Sequence, residues 1–350
     1  MVDRLVGPTD DMIQVLTAAS DETPLTLRVG GDHNISGVLS AQTTASEIWL
    51  VAEPGATLSG VLKIHDGAPP IHIKGFEITA RIVVEALAPL EISDCKFRGG
   101  ASGRRLSENG EAAVPALLVR GGQLTITNGD FEGLELAIHV QNGSLAIADS
   151  VFYRNRDSIY VTGGSTRITN TIFNASRATA LHVIGGDVVL KDQAVLLGNQ
   201  LALKISDGAH VSYELPAPLG RYAFIQDGSG IYHFEPGEHL GDFPFACSAG
   251  IVGDSFAAQS NPACSRRCPA GYACGAATVV PLVCENGTFC PTGSPATLDC
   301  PAGRVGTRPL LTSANECDIC LSGTECPKGS AKVEPSEPQP QPQLQPQPQL

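Results

Sequence analysis

Five short stretches of one pattern recur through the middle of this chain: Ala116-Leu-Leu-Val119, Ala137-Ile-His-Val140, Ser158-Ile-Tyr-Val161, Ala180-Leu-His-Val183 and Ala202-Leu-Lys-Ile205. Their starts lie 21, 21, 22 and 22 residues apart. Such a period demands a stacked architecture, because one unit of this length cannot bury its apolar face alone. Each stretch is followed by a turn pair: Gly121-Gly122, Asn142-Gly143, Gly163-Gly164, Gly185-Gly186 and Asp207-Gly208. A second run follows the turn, Leu124-Thr-Ile-Thr127, Leu145-Ala-Ile-Ala148, Thr166-Arg-Ile-Thr169 and Val188-Val-Leu-Lys191. Its period-two alternation turns one face of a strand inward.

Next in each unit stands Asn128, Asp149, Asn170 or Asp192, and three residues later Phe131, Phe152, Phe173 or Val195. A bend between strands needs a residue that tolerates positive φ and can bond its own backbone, which Asn and Asp do. Stacked coils bring equivalent residues about 4.8 Å apart, so these side chains are expected to hydrogen-bond up a column. The phenylalanines are expected to form an aromatic ladder inside it. One coil therefore reads as strand, Gly turn, strand, Asn/Asp bend, short third strand and longer loop.

The Leu-x-Ile-x-Asn-x-x-Phe pattern at 124–131 resembles the right-handed parallel β-helix of the pectate-lyase-like superfamily, over about residues 26 to 213. The fold class implied is all-β, a parallel β-helix solenoid with 21–22-residue coils. The N-terminal rungs match more loosely, at Ile48-Trp-Leu-Val51, at Leu62-Lys-Ile64 with Ile71-His-Ile73, and at Ile82-Val-Val84 with Leu90-Glu-Ile92. From Arg81 to Ala116 is 35 residues, which gives that rung an insertion. The resemblance also implies a cap on the open end. Asp10 and Asp11 before Met12, Val15, Leu16 and Ala19 suit a short amphipathic helix there.

Of 11 cysteines, ten fall between Cys247 and Cys326, and only Cys95 lies in the solenoid. That density marks a disulfide scaffold built from Cys247, Cys264, Cys268, Cys274, Cys284, Cys290, Cys300, Cys317, Cys320 and Cys326. Cys268, Cys284 and Cys300 are 16 apart, as are Cys274 and Cys290, with Gly271, Gly287 and Gly303 at one place in each unit. Cys-Pro-Ala-Gly-Tyr-Ala-Cys at 268–274 and Cys-Glu-Asn-Gly-Thr-Phe-Cys at 284–290 resemble the ephrin-receptor-like cysteine-rich repeat, an extracellular module. The departure is Gly306, where a further cysteine of the period would fall. Cys317-Asp-Ile-Cys320 has zinc-finger-like spacing, but no second Cys-x2-Cys follows and the last histidine is His239. Disulfides are therefore expected and no metal, with the connectivity open. Cys95 is expected to pack as a small apolar group.

Disulfides persist outside the cytosol, so the setting expected is extracellular or cell-surface. Sequons at Asn34, Asn142, Asn174 and Asn286 agree with glycosylation there, while Pro262 excludes Asn261. Met1-Val-Asp-Arg-Leu-Val-Gly-Pro8 holds no signal-peptide run, and no 18-residue apolar stretch offers a membrane span. The chain thus reads as a slice of a longer surface protein, and its Pro/Gln-rich end, 334–350, as an extended spacer.

A net charge of −13 with 23 basic residues in no cluster argues against nucleic acid. Pectin-cleaving hydrolases of this fold use clustered aspartates with Gly-His-Gly and Arg-x-Lys; neither motif occurs, so no catalytic residue is assigned. The sharpest binding candidate is the outward row His139, Tyr160, His182 and Lys204, one residue per coil. The second is the insertion at 98–114, where Arg104 and Arg105 offer an anionic-sugar or dibasic cleavage site.

The organisation expected is a β-helix over 1–215, a connector at 216–246 with Pro216, Pro218 and Pro236, a disulfide module at 247–327 and a disordered tail at 328–350. The first function expected is an extracellular, non-enzymatic scaffold or adhesion protein, with glycans or other extracellular proteins as partners and no cofactor. The second is a carbohydrate-active enzyme, which requires a carboxylate pair on neighbouring coils. The third is a receptor ectodomain.

Overall fold

The computed structural model describes residues 2–7, 10–17, 23–40, 43, 45–85, 89–99, 113–225, 227–332 and 334–335. The chain forms two compact units, one of residues 1–246 and 259–261, the other of 247–258 and 262–350.

The first unit is a parallel β-solenoid of about eight turns, closed by three sheets. Sheet 1, of nine strands, takes Leu136–Val140, Asp157–Val161, Thr179–Val183 and Leu201–Ile205. Sheet 2, of eleven, takes the runs after the Gly turns, such as Ser144–Ala148 and Asp187–Lys191. Sheet 3, of eight, takes the short strands after the bends, such as Val151–Tyr153 and Ile172–Asn174. Register is kept residue on residue, with Leu124 beside Leu145 and Ile126 beside Ile147. Equivalent apolar residues thereby form continuous inward rows, and burial rather than local propensity selects the pairing.

Each expected corner takes its form from the backbone. Asp94, Asn128, Asp149, Asn170 and Asp192 all have left-handed φ, between 43° and 56°. The Asn128 amide donates to Asp94 Oδ1 at 2.8 Å, and the Asn170 amide to Asp149 Oδ1 at 2.7 Å. Inside, Phe97, Phe131, Phe152 and Phe173 are fully buried and stacked, with centroids 4.4, 4.5 and 4.7 Å apart. Val195 does not continue this ladder. Gln193 joins Asp192 in the left-handed region (φ 72° and 46°), so the bend holds one more residue. Leu196 therefore sits on Phe173, and Val195 on the outward Ile172.

A second left-handed corner, between sheets 3 and 1, is made by Gly133, Arg154, Ala175 and Gly198. Asn155 and Asn199 stitch it from within: each side-chain oxygen accepts from the coil before (Leu134 and Ser176 N–H, both 2.9 Å), and each amide donates to the Phe131 or Phe173 carbonyl at 3.0 Å. Cys95 lies fully buried beside the first bend, and burial pushes its thiol up to about 11. It packs as a small apolar group rather than as a nucleophile.

Both ends of the solenoid are covered. Helix Met12–Thr17 buries Met12, Val15 and Leu16, and Asp11 caps it by accepting from the Ile13 and Gln14 N–H groups at 3.0 and 3.2 Å. Ala19 and the tail beyond 335 lie outside the described residues. Residues 216–246, expected as a connector, are folded into the first unit. Ile231–Phe234 pairs antiparallel with the last strand of sheet 2, Gly237–His239 with the last of sheet 1, and Phe243 bridges Leu196 of sheet 3. The reversal in direction ends sheets 1 and 2 with strands that cannot begin another coil.

The second unit is a stack of five small turns. Each begins with a cysteine, at 247, 268, 284, 300 and 320, and places a glycine three residues on. Gly250, Gly271, Gly287, Gly303 and Gly323 have φ of 79–86°, the value the third position of a type II turn requires. The first four donate N–H to the next turn, at the carbonyls of Cys274, Cys290, Gly306 and Cys326, over 2.7–2.8 Å. Gly306 thus keeps the backbone role of the cysteine it replaces, and Gly253 is its counterpart in the first turn. In those two turns the leading cysteine bonds 17 residues ahead, Cys247 to Cys264 and Cys300 to Cys317. In the other three the closure spans six residues, Cys268–Cys274, Cys284–Cys290 and Cys320–Cys326.

Loop entropy makes the long closures more stabilising, about 3 kcal/mol against about 2 for the short ones. Denaturant titration of the Cys300→Ala/Cys317→Ala pair is expected to show a larger loss than Cys284→Ala/Cys290→Ala. Equal losses would show that loop length does not govern this module.

Candidate functional site

Sheet 1 turns one residue of each coil outward between two buried ones. In the last four coils these are His139, Tyr160, His182 and Lys204, which the strand register brings directly above one another. The expected row therefore exists as a spatial column. The Tyr160 ring lies between the two imidazoles, 4.8 Å from each centroid and tilted by 31° and 39°. All three rings are half-buried, and the Nε2 of His139 lies 3.4 Å from the Thr162 hydroxyl. Lys204 ends the row in an ion pair with Glu238 Oε1 at 2.9 Å, on the antiparallel closing strand.

Burial lowers the pKa of both histidines, helped by Arg120 at His139 and by Lys204 at His182, with Asp157 and Glu238 opposing at His182. Near neutrality the row is thus uncharged but for Lys204, and able to donate and accept hydrogen bonds. Because the folded values lie below the ordinary 6.5, the unfolded chain binds protons first as pH falls. Stability is full above 6.5 and declines as pH drops through it toward the folded values. Thermal melts across that range are expected to lose less stability in a His139→Gln/His182→Gln variant than in the wild type. Identical pH profiles would remove the histidines from the acid response.

The other expected positions are dispersed. Arg104 and Arg105 lie outside the described residues. Asn34, Asn142 and Asn286 are exposed, and Asn174 is half-buried. Asn34 Oδ1 accepts from the Ser36 N–H and Asn142 Oδ1 from the Gly143 N–H, both at 2.9 Å, so each also shapes its own turn.

His72, in the Ile71-His-Ile73 rung, belongs to a second outer cluster. On sheet 2 it stacks on Trp49, with centroids 3.8 Å apart and planes within 5°. Its Nε2 lies 2.8 Å from Glu47 Oε1 and its Nδ1 3.0 Å from Glu91 Oε2. A hydrogen bond from Trp49, then the His72 contact, holds the Glu47 carboxyl below its usual range. The spacings 49 to 72 and 72 to 91 are 23 and 19 residues; no fixed period aligns them, so only the register reveals the column. Both carboxylates are engaged by one imidazole, which leaves neither as an unpaired acid or nucleophile.

No helix among the described residues is long and apolar enough to cross a membrane. No protein-family model, curated protein or solved structure matches the chain.

Proposed function

We propose that this is an extracellular, non-enzymatic scaffold of the surface or adhesion type, which binds glycan along the outer face of sheet 1. The pectate-lyase-like and ephrin-receptor-like resemblances belong to this proposal, as does glycosylation. The observation that carries it is the row His139–Tyr160–His182–Lys204, four hydrogen-bonding side chains held in register on a rigid sheet. Their spacing of about 4.8 Å is close to the length of one sugar in an extended chain, so successive coils meet successive residues of a polymer. A scaffold of stacked coils pre-pays the ordering such a surface needs. Five disulfides suit an oxidising compartment.

The test is binding of the whole chain to an immobilised panel of neutral and acidic oligosaccharides. Tyr160→Ala, which removes the centre of the row, is expected to weaken the best binder about tenfold, as loss of one or two hydrogen bonds does. Absence of binding across the panel, or affinity indifferent to Tyr160, would sink the proposal. A carbohydrate-active enzyme is the second reading; the carboxylates available to it on sheet 2, Glu47 and Glu91, flank the coil of His72 and would have to part from that imidazole to act. Turnover of polygalacturonate that disappears in Glu91→Gln would put it first.

A further inference from the structure

We propose that a hollow on the outer face of sheet 2, at the C-terminal end of the solenoid, binds a single neutral pyranose ring. This uses residues distinct from the sheet 1 row and shares with the preceding reading only the class of ligand.

The hollow arises from how the solenoid is closed. Ile231–Phe234 pairs antiparallel with His210–Glu214 and sets His233 opposite Ser212. On the neighbouring strand Asp187 stands beside His210 and Val189 beside Ser212. Between these outward residues Val188, Val211 and Phe234 are buried. Small side chains, Val189 and Ser212, thus occupy the centre while Asp187, His210 and His233 stand around them. The space left is about 370 Å³, lined by these residues. That volume lies within the range of small-ligand sites, about 300–1,000 Å³.

The lining selects the ligand. Among the described residues, Asp187, His210 and His233 have no side-chain hydrogen bond or ion pair within the protein. Their bonding capacity is left for something else. An anion would face the Asp187 carboxylate. A metal ion needs converging ligands, and no group of three His, Cys, Asp or Glu side chains among the described residues can hold one. An apolar ligand would cover Val189 but leave unused the carboxylate and the two imidazoles, which stand exposed around it, and the half-buried Ser212 hydroxyl. A sugar ring meets both demands. Its C–H face covers Val189, its hydroxyls donate to Asp187, and the imidazoles and Ser212 act as donors and acceptors.

Saturation-transfer NMR on the whole chain, with the methyl glycosides of glucose, galactose, mannose and N-acetylglucosamine as probes, tests this. Signal is expected for at least one of them. Ser212→Phe, a solvent-facing change that fills the hollow, is expected to abolish it. Asp187→Asn, which leaves the volume unchanged, is expected to weaken binding about tenfold through one lost charged acceptor, and Tyr160→Ala to leave it untouched. No transfer from any probe, or transfer that survives Ser212→Phe in a variant with wild-type melting, overturns the proposal. Monosaccharide silence combined with Tyr160-dependent oligosaccharide binding refutes this site and leaves the sheet 1 row standing; the converse refutes only the row.

Discussion

Phe131→Ala is expected to lower stability by about 3–5 kcal/mol, the cost of a large buried aromatic replaced by alanine in a core that cannot collapse. Phe131 is fully buried with stacked rings on both sides, Phe97 at 4.4 Å and Phe152 at 4.5 Å. Its removal opens a cavity and ends two ring contacts worth about 0.5–1.5 kcal/mol each. The backbone is tied at 4.8 Å or so by the strand ladders, so neighbouring rings cannot close the gap. Coils in a solenoid stabilise only their neighbours; the defect is expected also to uncouple the two halves. Denaturant titration checks the first effect, and hydrogen exchange on either side of residue 131 the second. A loss below about 1 kcal/mol, the scale of an ordinary point mutation, would show that the ladder is ornamental.

Gly164→Ala is expected to be comparably severe, for a reason in the backbone. Gly164 sits at φ +79°, where a β-carbon would lie 2.4 Å from the Gly143 carbonyl oxygen and 3.0 Å from the Asn142 carbonyl carbon. Left-handed alanine costs about 1–2 kcal/mol, and relieving the clash about 1–3 more. The obstacle is the coil below, whose Gly143 carbonyl already accepts from the Ser165 N–H at 2.9 Å. Gly208 supplies the control: φ is +84° and nothing lies within 4 Å of its would-be β-carbon. Gly208→Ala is expected to show the first cost alone. Equal losses at both positions would show that coil contact contributes nothing at this turn.

The parts of the fold legible from sequence were those that repeat with constant spacing. The second residue of each turn pair is glycine because all five (Gly122, Gly143, Gly164, Gly186 and Gly208) take positive φ, and the Asn/Asp column marks bends for a related reason. The second corner is not legible because Arg154 and Ala175 carry no turn signature; Asn155 and Asn199 hold it by bonding to the coil before. Val195 was misaligned because one residue added at Asp192-Gln193 shifts the register without disturbing the hydrophobic pattern. The five-fold repeat in the second unit was hidden where Gly253 and Gly306 take cysteine positions and keep only the backbone bonds. Of the candidate site, the sheet 1 row was readable because its four residues share one period. The Trp49–His72 stack and the hollow were not, since one spans unequal coils and the other depends on an antiparallel strand from a stretch read as linker.

The bend column has a consequence for how such a chain gains or loses length. Its residues alternate Asp94, Asn128, Asp149, Asn170, Asp192, and each amide gives its hydrogen to the carboxylate one step earlier. The geometric repeat is a single coil, but the chemical repeat is two. Deleting or duplicating one coil alone would set two carboxylates, or two amides, face to face, whereas a change by two preserves every donor and acceptor. Parity, rather than length, is what this column conserves.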